Sequence, residues 1–107
     1  MPIHQFMSLI NAKPGRESEF IEWYSKTHIP EVLQIPGFVG ARRFRVSPSQ
    51  LVGMIPPWEY LVIYEIEGTS PAGALEELGR RIANGMNISD SFRPDVAAWT
   101  YSPLETA

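Results

Sequence analysis

The sequence predicts an α+β domain of order β-α-β-β-α-β, an antiparallel four-stranded sheet carrying two helices on one face. Three observations predict it. Four short apolar runs are bounded by Gly, Pro, Asn and Ser clusters, as strands are. Two other stretches repeat apolar residues at the 3.6-residue period of a helix. The strands carry apolar side chains on both sides, yet only two helices exist to cover one side.

The first strand is Ile3–Ile10, ended by Asn11 and Lys13-Pro14-Gly15. His4, Phe6, Ser8 and Ile10 share one face of it. A helix is expected over 16–27, with Glu17 and Glu19 in its first turn where the dipole favours them. Phe20, Trp23, Tyr24, Thr27 and His28 fall on one face. Pro30 removes a backbone donor and disfavours helical geometry at Ile29, so the helix is expected to break or kink just after His28. A short turn over 31–34 follows, and Ile35-Pro36-Gly37 stops it.

The second strand spans 38–46, with Phe38, Gly40, Arg42, Phe44 and Val46 on one face and Val39, Ala41, Arg43 and Arg45 on the other. Residues 47–57 form a loop in which Leu51, Val52, Met54 and Ile55 suit a lid or a partner contact. The strand over 58–67 alternates most strictly: Trp58, Tyr60, Val62, Tyr64 and Ile66 point one way. Ser70 and Pro71 open a helix over 71–84 as cap and first residue. It turns Ala74, Leu75, Leu78 and Ile82 inward and Glu76–Arg80 and Glu77–Arg81 pairs outward, and Gly85 ends it. Residues 86–94 are irregular. The last strand, 96–102, puts Ala97, Trp99 and Tyr101 on one face.

Composition narrows the function. One hundred and seven residues make one domain, 1–107. There is no cysteine, which excludes disulfides and thiolate chemistry and fits a reducing cytoplasm. Nine Lys+Arg against twelve Asp+Glu give a net charge of −3, which argues against a nucleic-acid partner. No apolar run reaches the ~18 residues of a membrane span. No nucleophile elbow, phosphate loop or dinucleotide fingerprint is present, and two histidines far apart argue against a metal site.

The stretch F-x-x-WY-x-x-x-H-x-PE-x-x-x-x-PGF, from Phe20 to Phe38, together with the element order and the strand around Tyr60 and Tyr64, resembles the dimeric α/β-barrel superfamily of ferredoxin-like proteins, in its EthD-like branch. The resemblance implies a cavity between sheet and helices. It also implies a range of activities: polyketide cyclases, lactone isomerases, small lyases, and quinone-forming or haem-degrading oxygenases. The uncovered sheet face independently predicts a homodimer, sheet against sheet.

The residues point first to a cofactor-independent lyase, dehydratase, isomerase or cyclase acting on a small aromatic, lactone or polyketide-like compound. Such chemistry needs a proton acceptor, a donor to a developing oxyanion, and a dry aromatic pocket. His28 is the expected acid/base, since histidine titrates near neutral pH. Tyr24 lies one turn away as its partner. Trp23, Tyr60, Tyr64, Trp99 and Tyr101 are candidate walls, Arg42 or Arg43 a candidate for a carboxylate or phenolate, and His4 a rival base. The alternatives are a non-catalytic ligand-binding or accessory dimer with a structural His28, and a haem-degrading or phenol-oxidising monooxygenase.

Overall fold

The computed structural model describes residues 1–104. Its strands are β1 (Ile3–Ile10), β2 (Phe38–Arg45), β3 (Tyr60–Glu67) and β4 (Ala97–Tyr101). They lie in the order β2-β3-β1-β4, each neighbouring pair antiparallel. Between β1 and β2 run α1 (Glu17–Trp23), a π-helical turn (Tyr24–His28) and α2 (Ile29–Leu33); α3 (Ala72–Ala83) joins β3 to β4. This is the ferredoxin-like arrangement expected from the sequence.

Register decides which side chains face the helices, because directly opposed residues share a face. His4, Phe6, Ser8 and Ile10 stand opposite Ile66, Tyr64, Val62 and Tyr60. The latter four are buried, as the alternation along β3 predicts. They pack against Phe20, Tyr24, Ile29, Val32 and Ile35 of the first helical stretch and Ala74 and Leu78 of α3. Burying one such side chain is worth about 1.5–3 kcal/mol. A surface ion pair such as Lys26–Glu22, 3.7 Å apart, gives about 0–1 kcal/mol, so the apolar layer holds the fold.

Two one-residue irregularities depart from the sequence expectation. The helix does not break at Pro30. Trp23, Tyr24, His28 and Ile29 all keep helical dihedrals, and the chain runs on through α2. The Ile29 N–H reaches back five residues to the Tyr24 carbonyl. The wider π turn gives the Pro30 ring room that a tight α turn would deny it, so the clash is absorbed rather than ending the helix. Pro36-Gly37 does stop it, with Gly37 at φ 102 and its Cα facing the Ala74 Cβ.

The second irregularity is a β-bulge. Phe38 pairs with Ile66 but Gly40 pairs with Glu65, leaving Val39 as an extra residue. Beyond it the expected faces of β2 are exchanged. Ala41, Arg43 and Arg45 oppose Tyr64, Val62 and Tyr60 on the helix side, and Arg42 and Phe44 oppose Ile63 and Leu61 on the outer side.

Smaller differences lie at element ends. Trp58 and Glu59 precede β3, held by Trp58 Nε1–H donating to the Asp95 carbonyl and by Glu59 N–H donating to Asn11 Oδ1. In α3, Glu77 takes both Arg80 and Arg81 at 2.8 Å, so the expected Glu76–Arg80 pair does not form. The helix opens one residue later than expected: Pro71, not Ser70, is its capping residue, and Ser70 Oγ accepts the Ala72 N–H at 3.2 Å from just outside. Among the described residues no helix covers the outer sheet face, and Phe44 and Trp99 on it are 43% and 44% exposed. Leu51, Val52, Met54 and Ile55 in the loop 47–57 are also exposed. Among the described residues no helix is long and apolar enough to cross a membrane.

Candidate active site

The π turn positions the central side chain. In a turn bonded five residues back, a residue sits beside both its fourth and fifth predecessors. The His28 ring accordingly lies 4.9 Å from Tyr24 and 4.9 Å from Trp23. It stacks on Trp23 at 24° and meets Tyr24 nearly edge-on at 77°. Trp23 is itself stacked on Phe92, 5.5 Å away at 15°, and its Nε1–H donates to the Asn87 carbonyl at 3.0 Å. His28 is thus fixed from two sides by rings that are themselves fixed.

Burial lowers the His28 pKa from its ordinary 6.5 to about 4. The imidazole is neutral at physiological pH. Its Nδ1 is buried and, among the described residues, has no hydrogen-bond partner. In the tautomer protonated on Nε2, Nδ1 offers a lone pair in an apolar setting.

Three hydroxyls line up beside this group. Tyr64 Oη–H donates to Tyr24 Oη at 3.4 Å, and Tyr24 Oη–H donates to Ser8 Oγ at 3.3 Å. Burial raises both phenols above their ordinary range, with partial relief at Tyr24 from Ser8 and Tyr64 and a further rise at Tyr64 from Tyr24. Both stay protonated at neutral pH and remain donors. His28, Tyr24, Tyr64, Ser8, Phe6 and Phe92 all border one cavity of about 260 Å³ between the sheet and the helices. A neutral base, phenolic donors and aromatic walls in one small apolar space can move a proton and steady the resulting anion.

Of the residues singled out in the sequence, the structure brings Trp23, Tyr24, His28 and Tyr64 together here. Tyr60 is buried on the same sheet face but borders a different cavity. Arg42 faces outward with its guanidinium 5.9 Å from the Phe44 ring. Trp99 and Tyr101, opposite Met7 and Gln5, share that outer face and stand away from the cavity. His4 sits at the far end of β1, where Nε2–H donates to the Gly68 carbonyl at 2.9 Å and Nδ1 accepts from Ser102 Oγ–H at 2.8 Å. Both its nitrogens are engaged in tying strand ends together.

Sequence reasoning missed Ser8 and the wall supplied by Ile88, Phe92 and Val96. Isolated apolar residues in the polar stretch 86–94 were the available signal. That stretch is anchored by Lys13 N–H to the Ser91 carbonyl at 2.8 Å, Arg93 N–H to the Asn11 carbonyl at 2.8 Å, and the Arg16–Asp90 pair at 2.7 Å. Among the described residues no three His, Cys, Asp or Glu side chains converge as a metal site would require.

No protein-family model and no curated protein sequence matches the chain. Solved structures do. An EthD family protein from Bacillus halodurans superposes with a TM-score of 0.60 at 14% identity, over 97% of this chain and 100% of the other. A candidate monooxygenase from Shewanella loihica gives 0.64 at 10% identity over 99% of both chains. A dimeric ferredoxin-like protein of unknown function from Jannaschia gives 0.60 at 15% identity, over 97% of this chain and 99% of the other. At such identities the likeness is one of fold, and by fold the chain stands with the dimeric ferredoxin-like, EthD-like proteins.

Proposed function

We propose that the protein is a cofactor-independent acid/base enzyme of the lyase, dehydratase, isomerase or cyclase kind, acting on a small aromatic, lactone or polyketide-like compound. The observation that carries this reading is His28: a neutral, half-buried imidazole whose buried Nδ1 has no partner among the described residues, beside protonated Tyr24 and Tyr64 in an aromatic-walled cavity. A structural histidine would be expected to spend its nitrogens on the protein, as His4 does.

In this reading His28 takes a proton from carbon next to a substrate carbonyl. Tyr24 or Tyr64 turns its hydroxyl from its neighbour in the chain of three and donates to the oxygen on which charge collects. That charge, held near the ring, raises the pKa of His28 during the step and so strengthens a base that is weak in the empty site. The cavity of about 260 Å³ suits a molecule of one or two rings and is too small for a tetrapyrrole, which speaks against a haem enzyme. The working unit is a cytoplasmic homodimer in which the outer sheet faces of two single-domain copies cover each other, as the exposed Phe44 and Trp99 suggest.

Solvent deuterium exchange tests the chemistry without the natural substrate. Aryl ketones, lactones and 1,3-diketones in D₂O are followed by proton NMR with and without protein. Exchange at the acidic carbon of one class should accelerate, and His28→Ala should abolish the gain while leaving the fold intact. Equal exchange with the wild type and the variant across all classes would refute the role of His28.

A further inference from the structure

A second cavity lies on the other side of Tyr24. It measures about 220 Å³ and opens between the first helical stretch and strands β2 and β3. Phe20, Tyr24 and Tyr60 form aromatic walls, and Ser25, Arg43 and Arg45 border it. The bulge at Val39 is what brings both arginines to this side of the sheet.

The two guanidiniums are held differently. Arg45 lies 5.4 Å over the Tyr60 ring, donates to Tyr60 Oη at 3.4 Å, and has Glu59 3.8 Å from its Nε. Arg43 has one neutral anchor: its Nη1–H donates to Ser25 Oγ in the π turn. Among the described residues no carboxylate lies within 4.0 Å of Arg43 or of the outward-facing Arg42, whereas Arg16, Arg45, Arg80, Arg81 and Arg93 each have at least one. Arg43 is therefore a cation oriented by a hydroxyl, with donors to spare, beside an aromatic-lined space.

We propose that this cavity binds a small planar carboxylate, an aromatic or conjugated monoacid. Its ring lies against Phe20 and Tyr60, and its carboxylate bridges the free donors of Arg43 with help from Arg45. A guanidinium fork matches the two oxygens of a carboxylate, and an aromatic wall suits a flat apolar body. The volume admits a single ring. The site is separate from the acid/base cavity, since Tyr24 borders both but His28 borders only the other. It stands whether or not His28 works as a base.

The test is a titration of ¹⁵N-labelled protein with benzoate at neutral pH, followed by amide shifts, with benzyl alcohol and inorganic phosphate as separate probes. Saturable benzoate shifts are expected at Ser25, Arg43 and Tyr60, with His28 and Phe92 unmoved. Arg43→Gln should weaken benzoate by about tenfold or more, the loss of a charge-assisted pair. Arg43 is exposed, and the variant's own spectrum reports that it is folded. Benzyl alcohol should bind more weakly than benzoate, and phosphate more weakly still. An unchanged benzoate affinity in Arg43→Gln overturns the proposal. So do shifts confined to His28 and Phe92, which place benzoate in the other cavity, and equal affinity for phosphate, which leaves only a basic patch.

Discussion

Lowering the pH should unfold this protein partly through His28, and the size of the effect follows from its environment. The folded chain disfavours a proton on the half-buried ring, holding its pKa at about 4, while the unfolded chain lets it titrate at its ordinary 6.5. The stability tied to this residue is therefore whole above about pH 6.5. It is lost as pH falls, because the unfolded state gains a proton that the folded state refuses. Between pH ~7 and ~5 the linkage relation gives a loss of about 2 kcal/mol, and below pH ~4 the loss levels off near 3 kcal/mol. Carboxylates held low by arginines, Glu19, Asp90 and Glu77, add a separate loss at lower pH. A His28→Gln variant retains them, and His4 as well, so the difference between the two proteins isolates His28. Urea midpoints at both pH values and one protein concentration are the assay. His28→Gln should fall by about 2 kcal/mol less than the wild type over this interval. If both fall equally, the ring is not the desolvated neutral base described above, and the acid/base reading loses its footing.

Other outcomes follow from the same geometry. His4→Phe, which keeps the ring volume but strands the Gly68 carbonyl and Ser102, should cost about 1–3 kcal/mol in urea unfolding and leave the His28 signals unmoved; a cost near zero would refute the tie. Gly79 in α3 has nothing within 4 Å of where a Cβ would stand, so Gly79→Ala should stabilise by about 1 kcal/mol and raise the melting temperature. If deuterium exchange is found, Tyr64→Phe should slow it by about 10²-fold with the His28 resonance unchanged. Trp99→Glu on the outer sheet face should turn a sedimenting dimer into a monomer; a wild type that sediments as a monomer at all concentrations would remove the sheet-to-sheet assembly.

The strands were legible in the sequence where one face is wholly buried. The alternation of Tyr60, Val62, Tyr64 and Ile66 leaves only one phase that hides all four, so the buried face of β3 could be read directly. β2 has no such alternation. Its two sides are Arg and Phe against Arg and Ala, and a single extra residue at Val39 costs little in pattern while reversing every side chain beyond it. Arg42 and Arg43 were indistinguishable on the page for that reason. At Pro30 the sequence rule is local, whereas the packing of Ile29, Val32 and Ile35 under the helix favours continuation. The π turn satisfies both, and nothing in the composition announces it. The cluster of Trp23, Tyr24 and His28 was readable because those residues lie within six of each other. The wall from 86–96 was not, because it depends on where an irregular segment is pinned.

The π turn also bears on motion. Pro30 supplies no N–H, so the backbone ladder of the helix lacks a rung at the turn that presents Trp23 and His28 to the cavity. Solvent should enter the helix there first. Amides from Ser25 to His28 are then expected to exchange their hydrogens faster than those of α1 or the buried residues of α2, through openings far smaller than global unfolding. The fold would thus have its most easily opened stretch of helix in the wall of the cavity around His28, where a compound could be admitted without disturbing the sheet.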